Sequence, residues 1–303
     1  MGDLSRRDTL RVFGTTAAGA LLGASGAGAS PEPMRRAIPS TGERIPVIGL
    51  GTWSTFDVGS SAAERAPLEE VLARFVERGG RVVDSSPMYG RSEEVVGAVA
   101  AKQGLRDRLF LATKVWTRGK EAGLRQIEAS ERLLGTKRLD LLQVHNLLDL
   151  PTHLATLRAL KDAGRVRYIG VTHYTASAYP EVERVLLREK LDFLQVNYSL
   201  AERKADGRIL PLAREKGVAV LVNRPFAGGE ALKRVLSRPL PAWAEAFDCT
   251  SWPQFFLKWI LANPAVTCAI PATSKRAHLD DDLDAALGRL PDEKLRRRMV
   301  DAL

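Results

Sequence analysis

From residue 45 onward, short apolar runs rich in β-branched residues alternate with stretches whose apolar positions recur every three or four residues. The runs cover 47–51, 81–84, 109–114, 139–145, 168–172, 191–197, 218–222 and 266–270. They are apolar on both faces, which predicts parallel strands covered by helices on each side. Between the first two runs, Leu68, Val71, Leu72, Phe75 and Val76 mark one helix face, with Pro67 placed for a first turn and Gly79-Gly80 for a stop. Leu124, Ile127 and Leu134 repeat the pattern before the fourth run. Leu154, Leu157 and Leu160 repeat it after, between Pro151-Thr152 and Gly164. Eight strand-helix units in about 250 residues predict an α/β fold, a single (β/α)8 TIM barrel. A doubly wound sheet would carry a third glycine and a helix behind its first strand, whereas Gly49-Leu50-Gly51 runs into Thr52-Trp53.

The chain has 303 residues, 45% hydrophobic and 27% charged, which excludes a disordered protein. Only Cys249 and Cys268 are present, too few for a disulfide framework, and both are expected to be unpaired small hydrophobes. The net charge of +9 is scattered, with no basic block interleaved with aromatics, so no nucleic-acid partner is expected. No metal site is expected either. A further loop or helix is expected over 239–253, and only a short charged tail with Arg296-Arg297-Arg298 after residue 290.

The first residues read differently. Arg6-Arg7 precede an uncharged stretch over 12–29 that ends in Ala27-Gly28-Ala29, a small-x-small cleavage pattern. This resembles a twin-arginine (Tat) export signal over 1–29, implying the Tat machinery as partner and a periplasmic or exported product cleaved near Ala29. Gly14, Gly19, Gly23, Gly26 and Gly28 argue against a lasting membrane anchor. A linker, 30–44, would then lead to the barrel, 45–303.

In a barrel the functional face lies at the carboxyl ends of the strands. The second run ends in Asp84, with Tyr89 five residues later, the third in Lys114 and the fourth in His145. An ammonium beside a phenol lowers its pKa, and a carboxylate keeps that ammonium charged. Such a tyrosine is expected to give up a proton near neutral pH, while a histidine orients a carbonyl oxygen. Each residue alone also fits a cap, a snorkelling strand end, a core histidine or a loop anchor, but their convergence implies carbonyl reduction.

These motifs carry a family resemblance. Val47 to Trp53, Val83-Asp84 to Tyr89-Gly90 with Ser92-Glu93, Thr113-Lys114-Val115-Trp116 and Leu139 to His145 are similar to segments of the aldo-keto reductases, (β/α)8 barrels that reduce aldehydes and ketones with NADPH. The resemblance implies Tyr89 as general acid, Lys114 as its modulator, Asp84 as the lysine's partner and His145 as the substrate-orienting group. It also implies a nucleotide cleft that includes Gly51, Thr52 and Trp53. Thr172 and His173 stand where Ser-Asn usually holds the nicotinamide carboxamide, and Gln195 matches the usual glutamine. Arg224, Pro225 and Phe226 follow Asn223 where many members place a stacking tyrosine, so that ring is missing. Pro271, Ala272, Thr273, Ser274, Lys275 and His278 run into a helix start suited to the 2′-phosphate of NADPH. Asp281 and Asp282 fall at the adenine-holding positions, the second in place of an asparagine.

Two rival readings remain at this level: a barrel lyase with Lys114 as a Schiff-base nucleophile, and a non-enzymatic NADPH-binding redox sensor. A monomer acting on a small-molecule carbonyl substrate is expected. The short tail implies an open site, with Trp53, Trp116 and Trp252 as candidates to line it.

Overall fold

The computed structural model describes residues 32–303. The segment expected to be an export signal lies outside them. The chain enters through strands β1 (Arg35–Ala37) and β2 (Arg44–Pro46), then alternates β3 (Leu50–Gly51), α1 (Ala62–Glu77), β4 (Val82–Asp84), α2 (Ser92–Lys102), β5 (Phe110–Val115), α3 (Lys120–Leu133), β6 (Leu139–His145) and α4 (Leu150–Asp162). It continues with β7 (Val166–His173), α5 (Tyr179–Arg188), β8 (Phe193–Asn197), α6 (Ile209–Glu215), β9 (Ala219–Asn223), α7 (Glu230–Val235), α8 (Trp252–Leu261), β10 (Cys268–Ala269), α9 (Arg276–Asp284) and α10 (Glu293–Asp301).

Strands β3 to β10 pair in chain order, all parallel. The ring closes where Gly49 N donates to Ala269 O at 2.8 Å, Ala269 N to Val47 O at 2.9 Å and Gly51 N to Pro271 O at 2.8 Å. This is the expected (β/α)8 barrel. The first and last strands are shorter than their apolar runs because closure uses isolated bridges rather than a continuous ladder.

Alternation along each strand sorts its residues between two cores. One parity packs under the helices. The other fills the barrel with Val82, Phe110, Ala112, Leu141, Tyr168, Phe193, Ala219, Leu221, Cys268 and Ile270. Ile38 and Ile45 of the β1–β2 hairpin join this inner cluster and plug its amino end. The hairpin occupies the stretch expected as a linker. Its strands are three residues each and half arginine, so no apolar alternation announces them. Tyr168 Oη bonds Thr41 Oγ1 at 2.8 Å and Glu43 Oε2 at 2.7 Å, and Arg167 bridges Glu43 and Asp140, fastening the plug.

Three local expectations change. Helix α1 begins at a Ser61–Glu64 capping box, so Pro67 stands inside the helix on an exposed face rather than in its first turn. The charged tail is helix α10, started by Asp292, whose side chain accepts from Leu295 N at 2.7 Å. Met299 buries fully, while Arg296 and Arg298 stack on Trp259 and Trp243, each 4.5 Å from a ring. Trp252 is core: its Nε1 donates to Arg238 O at 2.9 Å and its ring packs on Phe255, so it does not line the mouth. The expected insertion over 239–253 is a 3-10 turn at Ala242–Phe247 leading to α8. Cys249 and Cys268 are free and buried.

Candidate active site

The inward positions nearest the carboxyl end of β4, β5 and β6 carry Asp84, Lys114 and His145. The turn after β4 brings Tyr89 over them. That turn is held from below: Thr52 Oγ1 donates to Asp84 O and contacts Ser85 Oγ, both at 3.0 Å, and Ser85 N donates to Ala112 O at 2.9 Å. Gly90 closes it with φ +57°, and a Cβ there would fall 2.3 Å from the Asp57 carboxylate, which accepts from Arg91 N at 2.9 Å.

Lys114 is fully buried. Its Nζ donates to Asp84 Oδ2 and to Ser85 O, each at 2.7 Å, and lies 4.9 Å from the Tyr89 ring centroid. Tyr89 meets His145 edge-on at 5.9 Å. The four residues singled out in the sequence therefore form one cluster.

Its electrostatics differ from the expectation in one respect. Burial pushes the Tyr89 hydroxyl above the ordinary tyrosine range, and the opposing pull of Lys114 does not overcome it. The phenol is not acidified toward neutrality. It stays protonated, and the lysine's part is to stabilise the phenolate once the proton has left. Burial likewise disfavours the Lys114 ammonium, but Asp84 and Tyr89 outweigh it and hold the pKa above the usual lysine value. An ammonium whose protons are engaged is a poor nucleophile, which disfavours the Schiff-base lyase reading. Burial, then Lys114 and His173, lower His145 to about 2, so its imidazole is neutral. Ser86 Oγ accepts from Met88 N at 3.3 Å and lies 3.1 Å from His145 Nδ1. Where the Ser86 hydroxyl donates to Nδ1, Nε2–H is left as the free donor. Ser86 is the functional residue that the sequence reading passed over. Its only signal was its place two residues beyond Asp84.

The cleft residues divide. Thr172 Oγ1 donates to Gln195 Oε1 at 3.0 Å, and Gln195 Nε2 donates to Asp84 Oδ1 at 2.8 Å, so this part of the cleft joins the cluster directly. His173 is half-buried and stacks on Tyr174 with rings 5.6 Å apart. Thr52 is buried and structural. Trp53, Met88, Trp116 and Tyr174 stand exposed on four loops around the mouth. Arg224 is exposed with φ +49°, Pro225 is buried, and Phe226 packs edge-on against Phe256 of α8 at 6.2 Å. Asn223 stands at the place of the missing tyrosine; its Nδ2 donates to His173 O at 3.4 Å and its buried Oδ1 has no partner.

Beyond β10, Pro271 and Thr273 are buried, Ala272, Lys275 and His278 exposed, and Ser274 half-buried. Thr273 Oγ1 accepts from Lys275 N at 3.1 Å, and α9 starts without a side-chain cap, leaving its first amides for an anion. Asp281 does not stand free for a ligand: Ser251 Oγ donates to its carboxylate at 2.7 Å and Gln254 Nε2 at 2.8 Å, tying α9 to α8. Asp282 is buried, and desolvation followed by the charge of Asp281 raises its pKa well above the carboxylate range. Among the described residues no cluster of histidine, cysteine, aspartate or glutamate could hold a metal ion.

A family model described as the Aldo/keto reductase family matches residues 47–299. The sequence is 28% identical over 246 residues to methylglyoxal reductase YeaE of Escherichia coli (strain K12), covering 78% of this chain and 84% of that protein. A solved aldo/keto reductase from Klebsiella pneumoniae, in complex with NADP and acetate, matches with TM-score 0.73 and 28% identity over 86% of this chain and 92% of that one. A second from Klebsiella pneumoniae, in complex with NADPH, matches with TM-score 0.72 and 27% identity over 90% and 95% of the two chains.

Proposed function

The chain belongs to the aldo/keto reductase family, and on that premise we propose that it reduces an aldehyde or ketone to an alcohol with NADPH, Tyr89 delivering the proton. Bound NADPH supplies the hydride. The residues present fit it: Gln195 and Thr172 offer amide and hydroxyl groups beside the cluster, Asn223 Oδ1 lacks a partner, and the uncapped start of α9 with Thr273, Ser274, Lys275 and His278 suits a 2′-phosphate. The NADP and NADPH held by the similar Klebsiella proteins support the choice of cofactor.

His145 Nε2–H donates to the substrate's carbonyl oxygen and polarises it. The Tyr89 hydroxyl gives its proton to the same oxygen as charge develops there. Lys114 compensates the phenolate left behind, and Asp84 keeps Lys114 charged in a buried site. The observation that carries this reading is the Lys114 ammonium held between Asp84 Oδ2 and the Tyr89 ring. Tyr89→Phe is expected to slow single-turnover oxidation of bound NADPH by aldehydes on the order of 10³-fold. Oxidation at the native rate would overturn the assignment. A protein that binds NADPH and never oxidises it would instead be a sensor.

We propose in addition that residues 1–29 direct export through the Tat machinery, with cleavage near Ala29, a linker beginning at residue 30 and a monomeric barrel acting outside the cytoplasm. The support is the order of Arg6-Arg7, uncharged stretch and Ala27-Gly28-Ala29. Among the described residues no helix is long and apolar enough to cross a membrane. Changing Arg6 and Arg7 to lysine and fractionating the cells tests it, with undiminished export as the contrary result.

A further inference from the structure

Gln195 is joined to both halves of the site. A carboxylate can only accept, so the Gln195 atom 2.8 Å from Asp84 Oδ1 is the nitrogen, and the oxygen must be the atom facing Thr172 Oγ1 at 3.0 Å. The charge on Asp84 therefore fixes which way the amide points. One N–H and one lone pair of Gln195 remain, the complement of a primary carboxamide. Asp84 is shared in turn, Oδ1 to Gln195 and Oδ2 to Lys114. Thr172, Gln195, Asp84 and Lys114 are all at most 2% exposed, and the low local dielectric strengthens each link.

We propose that Gln195 is a positioning residue that ties the nicotinamide-binding end of the cleft to Asp84, Lys114 and Tyr89, so that holding the cofactor's amide and releasing the Tyr89 proton are linked. The inference rests on the reductase reading. The donor from Gln195 spreads and stabilises the Asp84 charge. Without it more negative charge faces Lys114 and Tyr89, and the phenolate becomes harder to form. Thermodynamic reciprocity then requires that NADP⁺ affinity change across the pH range in which Tyr89 titrates. The other charged or titratable groups facing this set are His145 on β6, His173 at the end of β7, Glu93 on α2 and Cys268 on β10. None of these lies between Gln195 and Asp84.

The test reads Tyr89 directly, by NMR of ¹³C-labelled tyrosine in the cofactor-free protein, with the resonance assigned by its loss in Tyr89→Phe. Gln195→Leu is expected to raise the Tyr89 titration midpoint by about half a unit or more, and to flatten the pH dependence of NADP⁺ binding. Gln195→Glu, which sets a second carboxylate against Asp84, is expected to raise the midpoint further and serves if Gln195→Leu does not fold. A folded variant of either kind that titrates Tyr89 as the native protein does would overturn the link. A residue that merely packed would alter stability or NADP⁺ affinity without moving that midpoint. Oxidation of NADPH by Tyr89→Phe at the native rate, by contrast, would sink Tyr89 as the proton donor, and a native protein that never oxidises NADPH would sink the reductase assignment, either one leaving the titration result to stand.

Discussion

At the amino end of the barrel, Phe110, Tyr168 and Phe193 pack ring against ring beneath the hairpin, with centroids 5.5 to 6.1 Å apart, and the polar groups around them are paired. Arg167 bridges Glu43 and Asp140, and the Tyr168 hydroxyl meets Thr41 and Glu43. At the carboxyl end the same strands bury Asp84, Lys114, Gln143, His145 and Gln195, and polar atoms are left without partners: both of Gln143 and Asn223 Oδ1. A buried polar atom without a partner costs about 1–3 kcal/mol, so the carboxyl end gives up stability that the amino end keeps. Two to four residues along a strand separate a packed plug from a reactive mouth: Phe193 from Gln195, Phe110 from Lys114, Tyr168 from Thr172.

The sharpest way to break this contrast is to remove the charge at its centre. Lys114→Met is expected to cut the reduction rate on the order of 10³-fold, and to destabilise the fold by about 3–5 kcal/mol because Asp84 is left buried and unpaired. Adding Asp84→Asn should restore much of the stability, measured by urea unfolding, and none of the rate. At the plug, Phe193→Ala is expected to cost about 3–5 kcal/mol in the same measurement, with the rate of the folded protein unchanged. A lost rate there would show that the two ends are not separable.

Protonation sharpens the picture. His145 stays neutral down to about 2, so the reduction rate should show no inflection near the ordinary histidine value of about 6.5. The unfolded chain binds a proton there that the folded protein does not. Stability should therefore fall as pH drops below that value, and His145→Gln should remove this part of the acid sensitivity. The raised Tyr89 hydroxyl predicts loss of reduction only on the alkaline side, above the ordinary tyrosine range. Ser86→Ala, which frees the histidine tautomer, should lower kcat by about tenfold. The smallest effect is expected at the rim: Lys275→Met should narrow the preference for NADPH over NADH by a few-fold, read by titration of both nucleotides.

The catalytic cluster was legible because Asp84, Lys114 and His145 end apolar runs, with Tyr89 in the turn directly after one, and strand periodicity places run ends at one face of a barrel. The strands of the middle units were equally legible, since β5 to β9 are buried on both faces. The hairpin and α10 were not. Each is short and charged, and each gains its stability from a distant contact: Ile38 and Ile45 in the barrel interior, Arg296 and Arg298 on tryptophans of other elements.

The sequence alone determined the alternation of strand and helix, the barrel that eight such units form, and which side chains gather at its carboxyl end, because all three follow from periodicity and local order. Only the tertiary structure decided how those side chains are charged and to whom they are bonded. Burial depth turned the expected acidic phenol into a protonated one, Ser86 came within hydrogen-bonding distance of His145 Nδ1, and Asp84 turned Gln195 toward itself. Desolvation and hydrogen-bond direction depend on distances between residues far apart in the chain, and no one-dimensional pattern encodes those distances.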